Sequence, residues 1–457
     1  MGTTRNRREF LTIVAGASAA ALMMTPGGHA NAARSPGLGT VGPTPTPAPI
    51  HVGTGQVAIT MWVQDFGPAI DWYRKAAQAY NKKQPNVSIT VQVIPYADLK
   101  AKVIPSVAAG TEADIIMGYN DWFVATDVSR LFLPLDKYVG GRAALEKIVF
   151  PKSLNAISTP NNTVYYLPFI AGLRAAVTTV NAAQYTAKGI HYKELKTWDD
   201  LVKAAKELTT YSGGRMTRSG LSPINGEWVL MKNWIWQEGG NFFNYNTGQW
   251  KLSTPEGEAA AQRLYDLFWK DRVCSFDLVS KEFDDFTRGR VSTELDGSWT
   301  VGAQAAAGLD VDAIVTPPLT HAKSDIIFPD EIAVITLSRR LGQDDAKRGY
   351  CIDLVKQMFS ANALLGMTET YTGTLMSKAL YSDPRITSTK YGSLSKRIAT
   401  DVWSRARFPQ DRVADQMPAQ QELERALRKQ IPIKQALANM EQYLNQQEQT
   451  ARQRIKG

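Results

Sequence analysis

Three short stretches of the chain set aromatic rings beside carboxylates and amides where an apolar run gives way to polar residues. Trp62, Gln64 and Asp65 close "VAITMWV" and the two residues after it; Tyr119, Asn120, Asp121 and Trp122 close "ADIIMGY"; Asp296, Ser298 and Trp299 follow "VSTEL". An indole offers a flat apolar face, and a carboxylate or amide beside it offers fixed acceptors and donors. Together they suit a ring with apolar C–H faces and a rim of hydroxyls, such as a pyranose. Any single tryptophan also suits plain core packing. Trp72, Trp234, Trp236 and Trp269 fall on apolar helical faces, where packing is the expected role.

The elements that must position these clusters follow from hydrophobic periodicity. Val57 to Val63 is an apolar strand, and Pro68 opens a helix with Ile70, Tyr73, Ala77 and Tyr80 at helical spacing. Val87, Ile89, Val91 and Val93 alternate with polar residues as in a half-buried strand, a second helix is expected over 96–109, and "ADIIMGY" is a third strand. This is a β-α-β-α-β unit with a parallel sheet, so the chain is of the α/β class. Further on, Thr197 stands three residues before Asp200 and Thr254 stands before Pro255, two helix-start arrangements. Shorter strands are expected at "VSTEL", "DAIVT" and "IAVITL". In open α/β sheets ligands sit beyond the carboxyl ends of the strands, where the three clusters fall.

Composition narrows the chemistry. The four histidines, His29, His51, His191 and His321, stand apart, and no His/Cys group has metal-ligand spacing, so no metal site and no cofactor is expected. There is no Gly-x-Ser-x-Gly elbow and no phosphate loop. Ser393 and Lys396 make a Ser-x-x-Lys match without partner motifs, a chance match. Asp284, Asp285, Glu294 and Asp296 leave open an acid and nucleophile pair for glycoside cleavage, but most of them read as caps and surface charges. The formal charge of +9 falls to +7 without residues 1–32. No block of consecutive Lys or Arg marks a nucleic-acid partner; a membrane surface or polyanion and an evenly solvated surface both remain compatible with that charge.

The N-terminus carries Arg5 and the adjacent Arg7-Arg8, an apolar stretch from Phe10 to Met24, and Ala30 and Ala32 two apart, the three parts of a secretory signal over 1–32. The double arginine resembles the twin-arginine export signal, and a fortuitous pair in an ordinary signal is the other reading. Residues 33–54, with Pro43, Pro45, Pro47 and Pro49 alternating with small residues, read as an extended spacer. The protein is therefore expected outside the cytoplasm, extracellular, at the cell surface or periplasmic. Neither Cys274 nor Cys351 lies near the cleavage point, so an N-terminal lipoprotein is not expected. The two thiols can pair in an oxidising compartment or stay free.

In order, "ITMWVQDFGP", "ADIIMGYNDWFVATDVSRLFLPLDKYV", "VYYLPFIAGLRAAVTTVNAAQYTAKGI", "KTWDDLVKAAKEL", "WQEGGNFFN", "FDDFTRGRVSTELDGSWTVG" and "DAIVTPPL" resemble the family 1 extracellular solute-binding proteins of ABC importers, the maltose-binding-protein-like group. The resemblance covers nearly all of the chain after the signal. Two positions depart from it. Gly297-Ser298-Trp299 stands where the family has Gly-Pro-Trp, and Val180 where it has a tyrosine before Asn181.

The resemblance implies a two-lobed periplasmic-binding-protein-like fold of type II, with a hinged ligand cleft. Lobe 1 is expected over 55–172 and 297–330 and lobe 2 over 173–296 and 331–457, crossing near 168–174 and returning near 297–331. It implies a monomer that captures a carbohydrate and delivers it to the membrane permease subunits of an ABC importer. The family's ligand contacts fall on Trp62, Asp65, Asn120, Asp121, Glu227, Trp228, Trp299, Glu331 and Tyr371. Arg174 at the crossing meets an anionic group such as a phosphate, or forms a structural ion pair. A secreted carbohydrate-active enzyme, or a sensor for a sugar phosphate or polyol, are the alternatives.

Overall fold

The structure is a computed structural model that describes residues 48–120, 122, 128–157, 163–223, 226–244, 247–279, 282–327, 332–368, 374–405 and 417–456. The expected signal, and the expected spacer up to residue 47, lie outside the described residues. The chain divides into two compact units.

The first unit holds the described residues up to Gly118 together with Arg340–Met358. It comprises β1 (Ile50–Val52), β2 (Val57–Gln64), α1 (Gly67–Lys83), β3 (Val87–Ile94), α2 (Tyr96–Ala109), most of β4 (Ile115–Tyr119) and a helix at Asp345–Met358. β2 runs parallel to β3 from Val57↔Val87 to Gln64↔Ile94, and parallel to β4 at Met61↔Ile115. The β-α-β-α-β unit thus forms as its periodicity dictates, because parallel neighbours need a helical crossover. β1, which the sequence assigns to the spacer, pairs antiparallel with β3 at the sheet edge.

One buried carboxylate ties this unit to its distant chain segment. Asp114 Oδ2 accepts the main-chain N–H of Thr60 at 2.8 Å and its Oγ1 at 2.9 Å, while Oδ1 meets Lys347 Nζ at 2.8 Å. Beside it, Arg340 Nε donates to Glu112 Oε1 at 2.8 Å, and the Tyr80 hydroxyl donates to the Tyr350 carbonyl at 3.0 Å.

The second unit contains Tyr119–Arg339 and the residues from Phe359 onward. Its elements that bear on the site are β5 (Leu167–Ala171), β6 (Val177–Asn181), α3 (Trp198–Leu208), α4 (Glu227–Gln237), α5 (Pro255–Trp269), β7 (Thr293–Glu294), α6 (Thr300–Ala306), β8 (Val311–Val315), β9 (Ile332–Leu337), β10 (Thr374–Leu375), α7 (Met417–Leu427) and α8 (Ile433–Lys456). β9 and β10 flank β5, both antiparallel to it. In a second sheet β7 and β8 flank β6, again antiparallel.

Both expected helix starts form. Thr197 and Asp200 make a reciprocal capping box on α3, and the Thr254 side chain accepts the Gly257 N–H ahead of α5. Trp72, Trp234 and Trp236 are buried as expected, but Trp269, the last residue of α5, is 42% exposed. Cys274 and Cys351 are free and buried.

Replacing Asp114 with alanine leaves Lys347 without its buried partner and Thr60 without its acceptor. The expected loss is about 3 kcal/mol of unfolding free energy, read as a fall in urea midpoint at constant slope. An unchanged midpoint shows that Asp114 does not hold the segments together.

Candidate functional site

The geometry in the second unit is set where the chain leaves β5 and enters β6 through Gly172–Ala176. Leu173 (φ 56°) and Ala175 (φ 52°) both hold left-handed backbone, a strained conformation for residues with a Cβ. Surrounding hydrogen bonds fix it. Ala175 N–H donates to Leu295 O at 3.1 Å and Thr316 N–H to Ala176 O at 3.0 Å. Ser298 donates twice to Gly172 O, from its main-chain N–H and from Oγ, each at 3.1 Å.

Between the two strained residues lies Arg174, whose guanidinium carbon sits over the Trp299 ring at 5.2 Å from the centroid. The indole folds back on Gly297, where an added Cβ would lie 2.2 Å from a ring carbon, so any larger residue there would displace the ring. Thr300 Oγ1 steadies the turn by donating to Glu294 Oε1 at 2.9 Å and Gly297 O at 3.0 Å, and Gln304 Nε2 donates to the same carboxyl oxygen.

α4 abuts this knot through its N-terminus. A Cβ on Gly226 would meet Leu295 O at 2.5 Å, which lets Glu227 enter as the first helical residue. Glu227 is buried, and its Oε2 has no hydrogen-bond partner among the described residues. Burial pushes its pKa up to about 8, with the negative charges of Glu424 and Asp296 adding to the rise and its own backbone N–H and Arg174 opposing it. Glu294 is raised to about 8 as well, by burial first and then by Asp296, against the bonds from Gln304 and Thr300. Both carboxyls are therefore mostly protonated at neutral pH, so each offers a donor as well as an acceptor.

Of the residues expected to meet a ligand, the structure brings Glu227 and Trp299 to this one corner. Trp228 follows Glu227 but is buried, with the Trp250 ring 6.0 Å away and Lys232 Nζ 4.9 Å above its own ring. Asn120 is fixed by β9: its Oδ1 accepts the Ile332 N–H at 2.8 Å, and its own N–H donates to Ile332 O at 3.0 Å. In the first unit Trp62 is buried under α2, with Lys102 Nζ 4.1 Å over its ring and donating to Gln92 at 3.3 Å. Asp65, just past β2, is half-buried, and burial raises its pKa. Asp121, Glu331 and Tyr371 lie outside the described residues.

Of the four carboxylates left open for glycoside cleavage, most of which read as caps and surface charges, three are buried: Asp285, paired with Arg290, and Glu294 and Asp296 beside the candidate site. A signal existed for Glu294. It lies inside "VSTEL", a run apolar enough to be a strand, although alternation sets Glu294 with Ser292 on the face opposite Val291 and Leu295. Among the described residues no group of three or more His, Cys, Asp or Glu is arranged to hold a metal.

Residues 67–326 match the profile of the family described as bacterial extracellular solute-binding protein. The chain is 24% identical over 268 residues to the maltotriose-binding protein of Pyrococcus abyssi, which covers 58% of this chain and 54% of that protein. It is 24% identical over 213 residues to the arabinooligosaccharide-binding protein of Halalkalibacterium halodurans, covering 45% of each. The chain thus spans about half the length of the curated relatives it matches.

Among solved structures, CpMnBP1 with mannobiose bound superposes with a TM-score of 0.70 at 19% identity, over 85% of this chain and 100% of that one. The maltose/maltodextrin-binding domain MalE from Bdellovibrio bacteriovorus bound to maltotriose gives 0.67 at 16% identity, over 88% and 100%. The chain shares the α/β fold of these type II periplasmic binding proteins.

A carboxyl whose folded pKa of about 8 exceeds its ordinary 4.5 keeps its proton in the folded state while the unfolded chain has lost it. Folding stability therefore falls as pH rises through that window, by up to ~1.4 kcal/mol per pH unit for each such group. Glu227→Gln removes one of the two groups. Between about pH 5 and pH 8 the variant should lose roughly half as much stability as the parent in urea titrations. An equal loss in both proteins means that Glu227 is already ionised.

Proposed function

Because the chain belongs to the bacterial extracellular solute-binding protein family, we propose that it captures a sugar or oligosaccharide outside the cytoplasm and delivers it to the permease subunits of an ABC importer. The observation that carries this reading is the corner formed by Trp299, Arg174 and the buried Glu227, whose pKa burial pushes up to about 8. An indole stacks on a sugar face, a guanidinium donates to ring or hydroxyl oxygens, and a neutral carboxyl both donates and accepts. Such a set holds a neutral hydroxylated ligand without leaving a buried charge unpaired. Relatives and structural neighbours named for maltotriose, arabino-oligosaccharide and mannobiose support an oligosaccharide as the class.

The proposed contacts are Trp62, Asp65, Asn120, Asp121, Glu227, Trp228, Trp299, Glu331 and Tyr371. In this reading the sugar leaves intact, no cofactor takes part and the protein acts as a monomer. The Arg7-Arg8 signal exports it without a lipid-modified N-terminus.

A thermal-shift screen of the purified protein against maltotriose, mannobiose, arabino-oligosaccharides and sugar phosphates, with thin-layer analysis of each mixture, tests the assignment. A ligand at about 100 times its dissociation constant adds about 2.7 kcal/mol, a visible rise in melting temperature. A neutral sugar recovered whole is the expected result, and a cleaved one would mean an enzyme. Trp299→Ala should weaken binding of that sugar by roughly 1 to 3 kcal/mol with the melting temperature of the free protein nearly unchanged. Equal affinity would remove Trp299 from the site.

A further inference from the structure

The second unit also carries a surface where aromatic rings and cations alternate. Tyr211 is 44% exposed and Trp269 is 42% exposed. The Arg272 guanidinium lies 5.3 Å over the Tyr211 ring, and the Tyr211 hydroxyl donates to Arg272 O at 2.7 Å. Lys429 Nζ stands 3.7 Å over the Trp269 ring, whose Nε1–H donates to Leu427 O at 2.8 Å. Arg428 lies 4.2 Å over Phe276. The ends of α5 and α7 are thus joined into one strip.

The backbone at the two capping cations is the unexpected part. Arg272 (φ 55°) and Lys429 (φ 60°) both occupy the left-handed region, just beyond the last turns of α5 and α7. Glycine is the favoured residue in left-handed backbone, since a Cβ is penalised there. The sequence places a long cation at both positions and sets each against an exposed ring.

Acidic neighbours are already engaged. Asp271 pairs with Lys206 at 2.7 Å, Glu424 with Arg428 at 2.8 Å, and Asp266 with Lys270 at 3.6 Å; Asp277 faces Arg215 at 3.9 Å. Counting these residues together with Arg272 and Lys429, six cations face four acids, in a chain whose formal charge is +9.

We propose that this strip docks the protein on an anionic lipid bilayer, with Arg272, Arg428 and Lys429 at the headgroups and the Trp269 and Tyr211 rings in the interfacial layer. Tryptophan and tyrosine partition to that layer, being apolar at one end and hydrogen-bonding at the other. Basic residues beside them are drawn to the negative surface potential. An acidic protein surface would neutralise the cations but gives the exposed rings no apolar layer to enter.

The test is co-sedimentation of the purified protein with phosphatidylcholine vesicles and with vesicles containing an equal share of phosphatidylglycerol, at low and at high salt. The parent should sediment only with the anionic vesicles and be released by salt. The double variant Arg272→Gly with Lys429→Gly relieves the left-handed strain, so it should melt at or above the parent temperature while partitioning roughly thirty-fold less. Failure of the parent to sediment with anionic vesicles, or equal partitioning of the double variant, overturns the proposal. Binding to detergent-solubilised permease without binding to vesicles also overturns it, in favour of a protein partner.

Discussion

The candidate site depends on the clasp that holds Gly172–Ala176 against Leu295–Ser298. Two residues with side chains are kept in left-handed backbone there, each at about 1 to 3 kcal/mol of local strain, and such strain persists only where surrounding bonds over-determine it. Ser298, Leu295 and Thr316 supply those bonds. Because Arg174 lies between the strained pair and Trp299 follows Ser298, the clasp sets the guanidinium over the indole. Gly226 brings the start of α4 against the same Leu295 carbonyl, which sets Glu227. Three side chains from three separate parts of the sequence are thereby positioned by one hydrogen-bonded knot.

The electrostatics of the corner follow from that crowding. Glu227, Glu294 and Asp296 are all buried, and three adjacent ionised carboxylates would repel one another in a medium that screens poorly. Burial first raises Glu227 and Glu294, the charge of Asp296 adds to the rise at both, and Arg174 opposes it at Glu227. A corner built this way presents donors and acceptors with little net charge, as a ligand made of hydroxyl groups requires.

Much of the first unit was legible because its signals are local. Val87, Ile89, Val91 and Val93 alternate, Pro68 marks a helix start, and a parallel pair separated by a helix leaves few topologies open. The caps at Thr197 and Thr254 were legible for the same reason. What could not be read lies in contacts between distant segments. Nothing near Lys347 says that it will meet Asp114, so the return of 340–358 to the first unit is invisible in the sequence. Trp269 carries a core-like helical pattern, yet it is the last residue of its helix and is exposed. Burial of Glu294 depends on which partners arrive, here Thr300 and Gln304, and no local pattern announces them.

The two departures from the solute-binding family pattern acquire physical meaning at the same knot. A proline at position 298 would have neither a main-chain N–H nor a hydroxyl to offer, whereas Ser298 directs both to Gly172 O. The serine therefore exchanges the rigidity of a fixed proline φ for two bonds that tie the Trp299 turn to the crossing. Val180, where a tyrosine is usual, is fully buried against Tyr185, Ala204 and Leu208, and its partner across the sheet is Thr293. Tyr185 places its own hydroxyl 2.7 Å from Thr293 Oγ1, so a ring and a hydroxyl are still present behind β7, supplied from a neighbouring element. Both substitutions are thus absorbed in the scaffold behind the site. In front of that scaffold the clasp leaves the Arg174 guanidinium stacked over the Trp299 ring.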